Sequence, residues 1–267
     1  MRIAASSLAF SRQPLETALR KLAALGFRYV DLGTVEGWAH LAPSEIADEP
    51  DRVAERLVRL FDRDGLQPVA FNAGLGTDDP DEQQRRLRGL CRLAQRLGVR
   101  VITLPAAQRG TPLDVEIARW RPMVALASEH DVTLAVETHF GQVTEDPQTA
   151  LALAERIDGL RLTLDPSHFT IQGMALSDFA ALLPFVAHVH LRDAGTNGWT
   201  EVQMPVGRGA VNFAGILTAL KEVGYNGAVS CEYIDTVGAL DIADNLRRLK
   251  MLLERLLIAE LMADAQN

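Results

Sequence analysis

Four residues with the right chemistry for a metal site stand at the ends of four successive short apolar runs. They are Glu137 in LAVET (134–138), Asp165 in LTLD (162–165), His190 in HVHL (188–191) and Glu232 in VSCEY (229–233). If all four side chains aim at one axis, three carboxylates converge in a partly dry space. Like charges that close cannot all stay ionised unaided, so either pKa values rise or a cation binds. One imidazole with three carboxylates is a mixed nitrogen and oxygen donor set. It suits Mn²⁺ or Mg²⁺, leaves Co²⁺ or Zn²⁺ possible, and lacks the thiolates of a structural zinc site. Such a set leaves coordination positions open for substrate oxygens.

Side-chain alternation sharpens this reading. In a strand His188 and His190 share one face and Val189 and Leu191 the other, while Glu137 shares a face with Ala135. Four of the six histidines (His139, His168, His188, His190) gather in the same stretch. Plainer readings exist for single residues. His188, one strand period deeper than His190, reads as a packed, hydrogen-bonded core histidine. His139 and Asp193 suit pairing with neighbouring backbone, Asp165 before Pro166 suits a turn, and His40 and His130 read as loop and helix-end residues. The ordered recurrence of Glu, Asp, His and Glu is what those readings leave unexplained.

Eight β/α units position these residues. The predicted strands are 2–7, 29–33, 67–72, 99–104, 132–138, 160–165, 186–191 and 227–233. The predicted helices are 14–27, 50–65, 81–98, 114–131, 146–158, 176–185, 212–225 and 241–261. In the first helix Leu15, Leu19, Leu22 and Leu25 form one apolar stripe, and Pro122 is a point where the fourth helix could kink or restart. Alternating units without a linker-like break predict a single-domain (β/α)8 barrel over 1–267. Parallel strands need long crossovers, and each helix supplies one. The rival is an open doubly wound sheet, which often carries a glycine-rich phosphate loop after its first strand. Here that position reads SSLAFSRQP.

The totals agree. A chain of 267 residues, 48% hydrophobic, can bury one large core. With 27 basic against 35 acidic residues and net charge −8, a sequence-independent hold on nucleic acid is not expected. Cys91 and Cys231 read as buried free thiols, MRIAASSLAF as a first strand, and no run is apolar enough to span a membrane. The cytoplasm is the expected location. The terminal AQN is expected to fray. The Leu-rich stretch 249–262 suits packing on an outer wall, and it could also serve a homo-oligomer interface.

LAVETH, LTLDPSH, HVHLRD and VSCEY, in this order and about one β/α unit apart, resemble the xylose-isomerase-like barrel superfamily, in particular its sugar phosphate isomerase/epimerase branch. Ketose 3-epimerases, hydroxypyruvate isomerases, inosose dehydratases and AP endonucleases belong to the same broad group. The resemblance covers essentially the whole chain. It implies a divalent metal held by Glu137, Asp165, His190 and Glu232, and a substrate-facing role for His168, three residues after the Asp. The segment MPVGRGAVNF (204–213) resembles the glycine-containing loop before the seventh helix of that group. AP endonucleases carry further histidines and an Asp-x-His pair in this loop. Here Arg208 stands between Gly207 and Gly209, and LGTVEG and FNAGLG hold no histidine, so DNA cleavage is not expected.

A metal between two glutamates suits proton abstraction next to a carbonyl, through a metal-stabilised enediolate, with Glu137 and Glu232 as base and acid. Asn72 and Arg208 could reach the substrate, a small carbohydrate. Return of the proton to the same carbon is epimerisation, delivery to the neighbouring carbon is isomerisation, and loss of a β-oxygen substituent is a lyase reaction. Isomerase/epimerase is the leading expectation and lyase the second. A non-catalytic binding scaffold is the contrasting class.

Overall fold

The structure is a computed structural model that describes residues 1–237 and 239–264, with side chains described to 259; the terminal AQN lies outside them. Eight strands form the frame: β1 (Arg2–Ser6), β2 (Tyr29–Val35), β3 (Gln67–Gly74), β4 (Val101–Leu104), β5 (Thr133–Glu137), β6 (Arg161–Leu164), β7 (Val186–Leu191) and β8 (Ala228–Cys231). Each pairs in parallel with the next, and β8 pairs with β1, so the sheet closes on itself. A two-residue antiparallel addition, Ala39–His40, pairs with the end of β2. The helices are α1 (Leu15–Ala24), α2 (Pro43–Asp48), α3 (Pro50–Asp64), α4 (Pro80–Leu97), α5 (Leu113–Ser128), α6 (Pro147–Arg156), α7 (Ser167–Thr170), α8 (Leu176–Phe179), α9 (Phe213–Glu222) and α10 (Ile242–Asp264). This is the expected (β/α)8 barrel.

Strand alternation divides wall from lumen. Val30 and Leu32, Ile102 and Leu104, Leu134 and Val136, Leu162 and Leu164, Val189 and Leu191, and Val229 and Cys231 all join the hydrophobic core. Alternating with them are Asp31, Thr103, Thr163, His188, His190 and Ser230, which are buried and polar. Asp31, Thr103, Thr163, His188 and His190 face the barrel axis, because they touch partners on strands that are not neighbours. Thr103 on β4 and Thr163 on β6 meet at 2.7 Å between hydroxyls. A lumen lined by polar side chains is unusual for this architecture, whose interior is normally filled by branched apolar residues. Its polar layer supports the ionisable groups above it.

One helix expectation needs correction. Residues 176–185 do not form one α-helix; the single turn α8 continues as a 3₁₀ segment, Ala180–Phe185. Pro184 lies inside that segment and has no N–H for an i→i−4 bond, which favours the tighter turn. Pro122 does not interrupt α5, which runs through it. Pro122 and Ala118, whose carbonyl loses its partner, are both exposed, so water can serve that carbonyl. In α10 Leu246, Leu249 and Leu253 are fully buried, while Met251 and Ile258 are exposed. None of the described helices is long and apolar enough to cross a membrane.

The Thr103–Thr163 contact gives a stability prediction. Thr103→Val leaves the Thr163 hydroxyl buried without its partner and should cost about 1–3 kcal/mol in urea unfolding. Adding Thr163→Val should then cost less than it does alone. Strictly additive losses would contradict the cross-lumen bond.

Candidate metal centre at the barrel mouth

Local contacts aim each side chain. The Glu137 carbonyl accepts from Thr144 Oγ1 at 2.6 Å, which fixes the backbone as β5 ends. Asp165 follows β6, and its N–H donates to Thr138 Oγ1 at 2.9 Å. Asp165 Oδ1 caps the short α7 by accepting from Ser167 N. Glu232 follows β8, with its N–H on Leu191 O at 2.9 Å. The next residue, Tyr233, donates its hydroxyl to Met204 O and accepts from Asp193 N.

One ligand atom from each of Glu137, Asp165, His190 and Glu232 can be chosen so that all lie within 4.8 Å of one another. His190 Nδ1 lies 2.7 Å from Glu137 Oε1 and 3.5 Å from Glu232 Oε1. Glu137 is the most accessible of the four, at 9%. The set is chemically fit for a divalent ion: three carboxylates and one ring nitrogen, buried, gathered at the C-terminal ends of consecutive strands.

Two residues not assigned from sequence complete the cluster. Arg192 is buried among the acids. It donates to Asp165 Oδ2 at 2.7 Å, Glu232 Oε2 at 3.2 Å, Ser167 Oγ at 3.0 Å and His168 Nε2 at 2.8 Å. Asp31, fully buried on β2, lies with Oδ2 2.9 Å from Nε2 of both His188 and His190. The period-two run His188, His190, Arg192 in HVHLRD was the available signal for the first, and a lone acid between Val30 and Leu32 for the second.

The electrostatics separate the two glutamates. Burial pushes the Glu137 carboxyl up, but the hydrogen bond from His190 and the nearby His190, His139 and Arg192 charges outweigh it and hold the group below its ordinary value. Burial pushes Glu232 up to about 8; Glu137 and Asp165 add to this, and His190 and Arg192 oppose it. Burial works against a charged His190, yet Glu232, Asp31 and Glu137 raise it well above an ordinary imidazole. His168 is pushed the other way, by burial first and then by the His139 and Arg192 charges.

His168 is therefore neutral. A guanidinium can only donate, so Nε2 accepts from Arg192 and the ring proton sits on Nδ1. That buried Nδ1 has no partner. The centre of the His168 ring lies 4.0 Å from that of His139 and 5.9 Å from that of Trp199, whose ring is nearly parallel to it. Trp199 is half exposed on a tied-down loop: Glu201 accepts from Thr196 N and Asn197 N, and Gly198 N donates to Ile171 O. The result is an aromatic wall beside the cluster.

The other expected residues divide. Asn72 belongs to the cluster and donates to Glu232 Oε1 at 2.8 Å. Arg208 does not: it is exposed, and its side chain makes no hydrogen bond or ion pair among the described residues. Its loop is held instead by Asp193, which accepts from the N–H groups of Ala194, Gly207, Gly209 and Val211. A Cβ on Gly209 would fall 2.2 Å from Asp193 Oδ1, which explains the glycine. His188 is a hydrogen-bonded interior histidine, and His139 Nδ1 meets Phe140 O at 2.7 Å. His40 Nε2 meets Ser7 O at 2.9 Å. Cys91 and Cys231 are buried free thiols. A cavity of about 540 Å³ opens between the loops after β3 and β4, lined by residues including Leu75, Thr77, Leu104, Ala106 and Arg119. None of the four clustered donors lines it.

The chain matches the family model of the xylose isomerase-like TIM barrel over residues 19–252. An inosose isomerase of Halalkalibacterium halodurans is 25% identical over 232 residues, 78% of each chain. Two solved structures share the fold. One is a xylose isomerase-like TIM barrel protein from Mycobacterium smegmatis in complex with magnesium, 17% identical with a TM-score of 0.78 over 96% of each chain. The other is the probable 3-DHS dehydratase of Bacillus anthracis involved in petrobactin synthesis, 18% identical with a TM-score of 0.76 over 95% of this chain and 99% of that one. The family match runs from within α1 into α10 and so takes in almost the whole barrel: the chain belongs to the xylose isomerase-like TIM barrel family.

Proposed function

We propose that the protein is a divalent-metal-dependent sugar or sugar phosphate isomerase or epimerase that moves a proton next to a carbonyl. The observation that carries this is the meeting of Glu137, Asp165, His190 and Glu232 within 4.8 Å in the barrel mouth. These four would hold one ion, Mn²⁺ or Mg²⁺ by donor type, with Co²⁺ or Zn²⁺ accepted by the same set. When bound, such an ion polarises a carbonyl and stabilises negative charge on its oxygen.

The chain's own residues supply the rest. Glu137, held below the ordinary carboxylate range, is the proton acceptor. Glu232, whose Oε1 lies 3.5 Å from His190 Nδ1 and which is gripped by Asn72 and Arg192, is the group to return a proton. His168, with its proton on Nδ1 and no protein partner there, donates to a substrate oxygen. The Trp199 wall offers an apolar face for a sugar's C–H groups. Support also comes from the relative described as an inosose isomerase.

Elimination is the second reading, favoured by one observation. A leaving hydroxyl needs an acid, and the His168 Nδ1–H is a buried donor with no protein partner. The solved neighbour described as a probable dehydratase is consistent with it.

Two outcomes are expected. Ion binding must displace protons held by Glu232 and His190, so affinity for Mn²⁺ should rise from pH 6 to pH 8, up to roughly tenfold per pH unit for each proton released. Calorimetric titration at three pH values measures this; affinity independent of pH would contradict it. In D₂O, proton NMR of a panel of ketoses and their phosphates should show deuterium entering an α-carbon of one of them without loss of water. Glu137→Gln should slow that exchange about 10²- to 10⁴-fold. Loss of water with exchange would move the assignment to the lyase, and a wild-type protein that binds no divalent ion would leave only a scaffold.

A further inference from the structure

The lumen holds a second group of metal-type donors beneath the first: Asp31, His188 and His190. His190 belongs to both groups, with Nδ1 in the upper and Nε2 in the lower. That shared ring decides what the lower group can be. A neutral imidazole has one lone-pair nitrogen and one N–H. If Nδ1 gives its lone pair to an ion above, Nε2 carries the proton, and it needs an acceptor in a fully buried place. Asp31 Oδ2 stands 2.9 Å from that nitrogen, the length of an N–H···O bond. Two ions, one on each nitrogen, would require the ring to lose both protons.

The lower group is also arranged as a brace. His188 Nε2 lies 2.9 Å from the same Oδ2, with its ring nearly perpendicular to that of His190 at 5.1 Å. Both histidines come from one face of β7, and Asp31 comes from β2, across the lumen. The carboxylate thus sits between two ring nitrogens and has no freedom to turn away from His190. Its Oδ1 has no partner, so the whole anchoring of the side chain runs through Oδ2 and the two rings.

We propose that Asp31 is a positioning residue for the ion site. It fixes His190 in the tautomer and ring orientation that leave Nδ1 facing the cation, and His188 braces Asp31 in turn. This rests on the metal reading given above. It assigns the lower group a supporting role rather than a second ion. Carboxylates that hold a ligating histidine from behind typically affect metal affinity by 10–100-fold.

The test uses the full chain stripped of metal with EDTA and titrated with Mn²⁺ by calorimetry. Wild type should bind one ion per chain. Asp31→Asn, which keeps the shape but weakens the acceptor, should bind one ion 10–100-fold more weakly, with an apo thermal midpoint close to wild type. Equal affinity would overturn the proposal. Two ions in wild type and one in Asp31→Asn would also overturn it, by making Asp31 a ligand. A wild type that binds none defeats the metal reading itself, whereas the first two outcomes leave it standing. If Asp31→Asn does not fold, the wild type decides alone: in Mg²⁺-loaded protein labelled with ¹⁵N-histidine, His190 should carry its proton on Nε2. A proton on Nδ1 would overturn the assignment.

Discussion

Concentrated negative charge in a dry space is the constraint on which this molecule turns. Asp31, Glu137, Asp165 and Glu232 are all buried within one lumen. Removing several carboxylates from water costs far more than any surface pair returns. Arg192 and His190 sit among these acids and offset part of the charge without an ion. Glu232 takes up the remainder by resisting ionisation. An arrangement this costly is a poor way to stabilise a barrel. It is a good way to prepare a place where a dication and a substrate's oxygens are welcome.

The barrel makes that concentration possible because it separates two jobs along each strand. Outward residues such as Leu134, Val136, Val189 and Leu191 belong to one continuous apolar core against the helices. Inward residues are then free to be polar, and several find partners across the axis. The Thr103–Thr163 pair and the Asp31–His188–His190 group are such partnerships, and both join strands that share no ladder. Polar support rises in layers through the lumen to the clustered donor atoms at its mouth. The same logic explains why the four clustered donors come from the ends of successive strands, where the closed sheet gives way to loops.

Much of this was legible from local pattern. Alternation placed Glu137 with Ala135 and His190 with His188, and the eight-unit rhythm brought four distant segments to one rim. What was not legible depends on contacts between residues far apart in the chain. Asp31 lies 159 residues from His190 and 157 from His188; nothing near YVDLG says which strand it will face. Arg192 continues the inward face begun by His188 and His190, but the acids it joins, Asp165 and Glu232, lie 27 and 40 residues away. Arg208 misled in the opposite direction: a charge between two glycines suggests a reaching loop, but Asp193 gathers that loop's backbone and leaves the arginine in solvent. Pro184 is another local cue, though it was absorbed into an expected helix and tightened the turn instead.

The central claim is that one cation is shared by residues from four consecutive strands. A crystal structure of the wild type grown with Mn²⁺, with data collected at the manganese absorption edge, tests it most directly. The account predicts a single anomalous peak at coordination distance from Nδ1 of His190 and from carboxylate oxygens of Glu137, Asp165 and Glu232. Full Mn²⁺ with no peak there, or a peak between Asp31, His188 and Nε2 of His190, would contradict it.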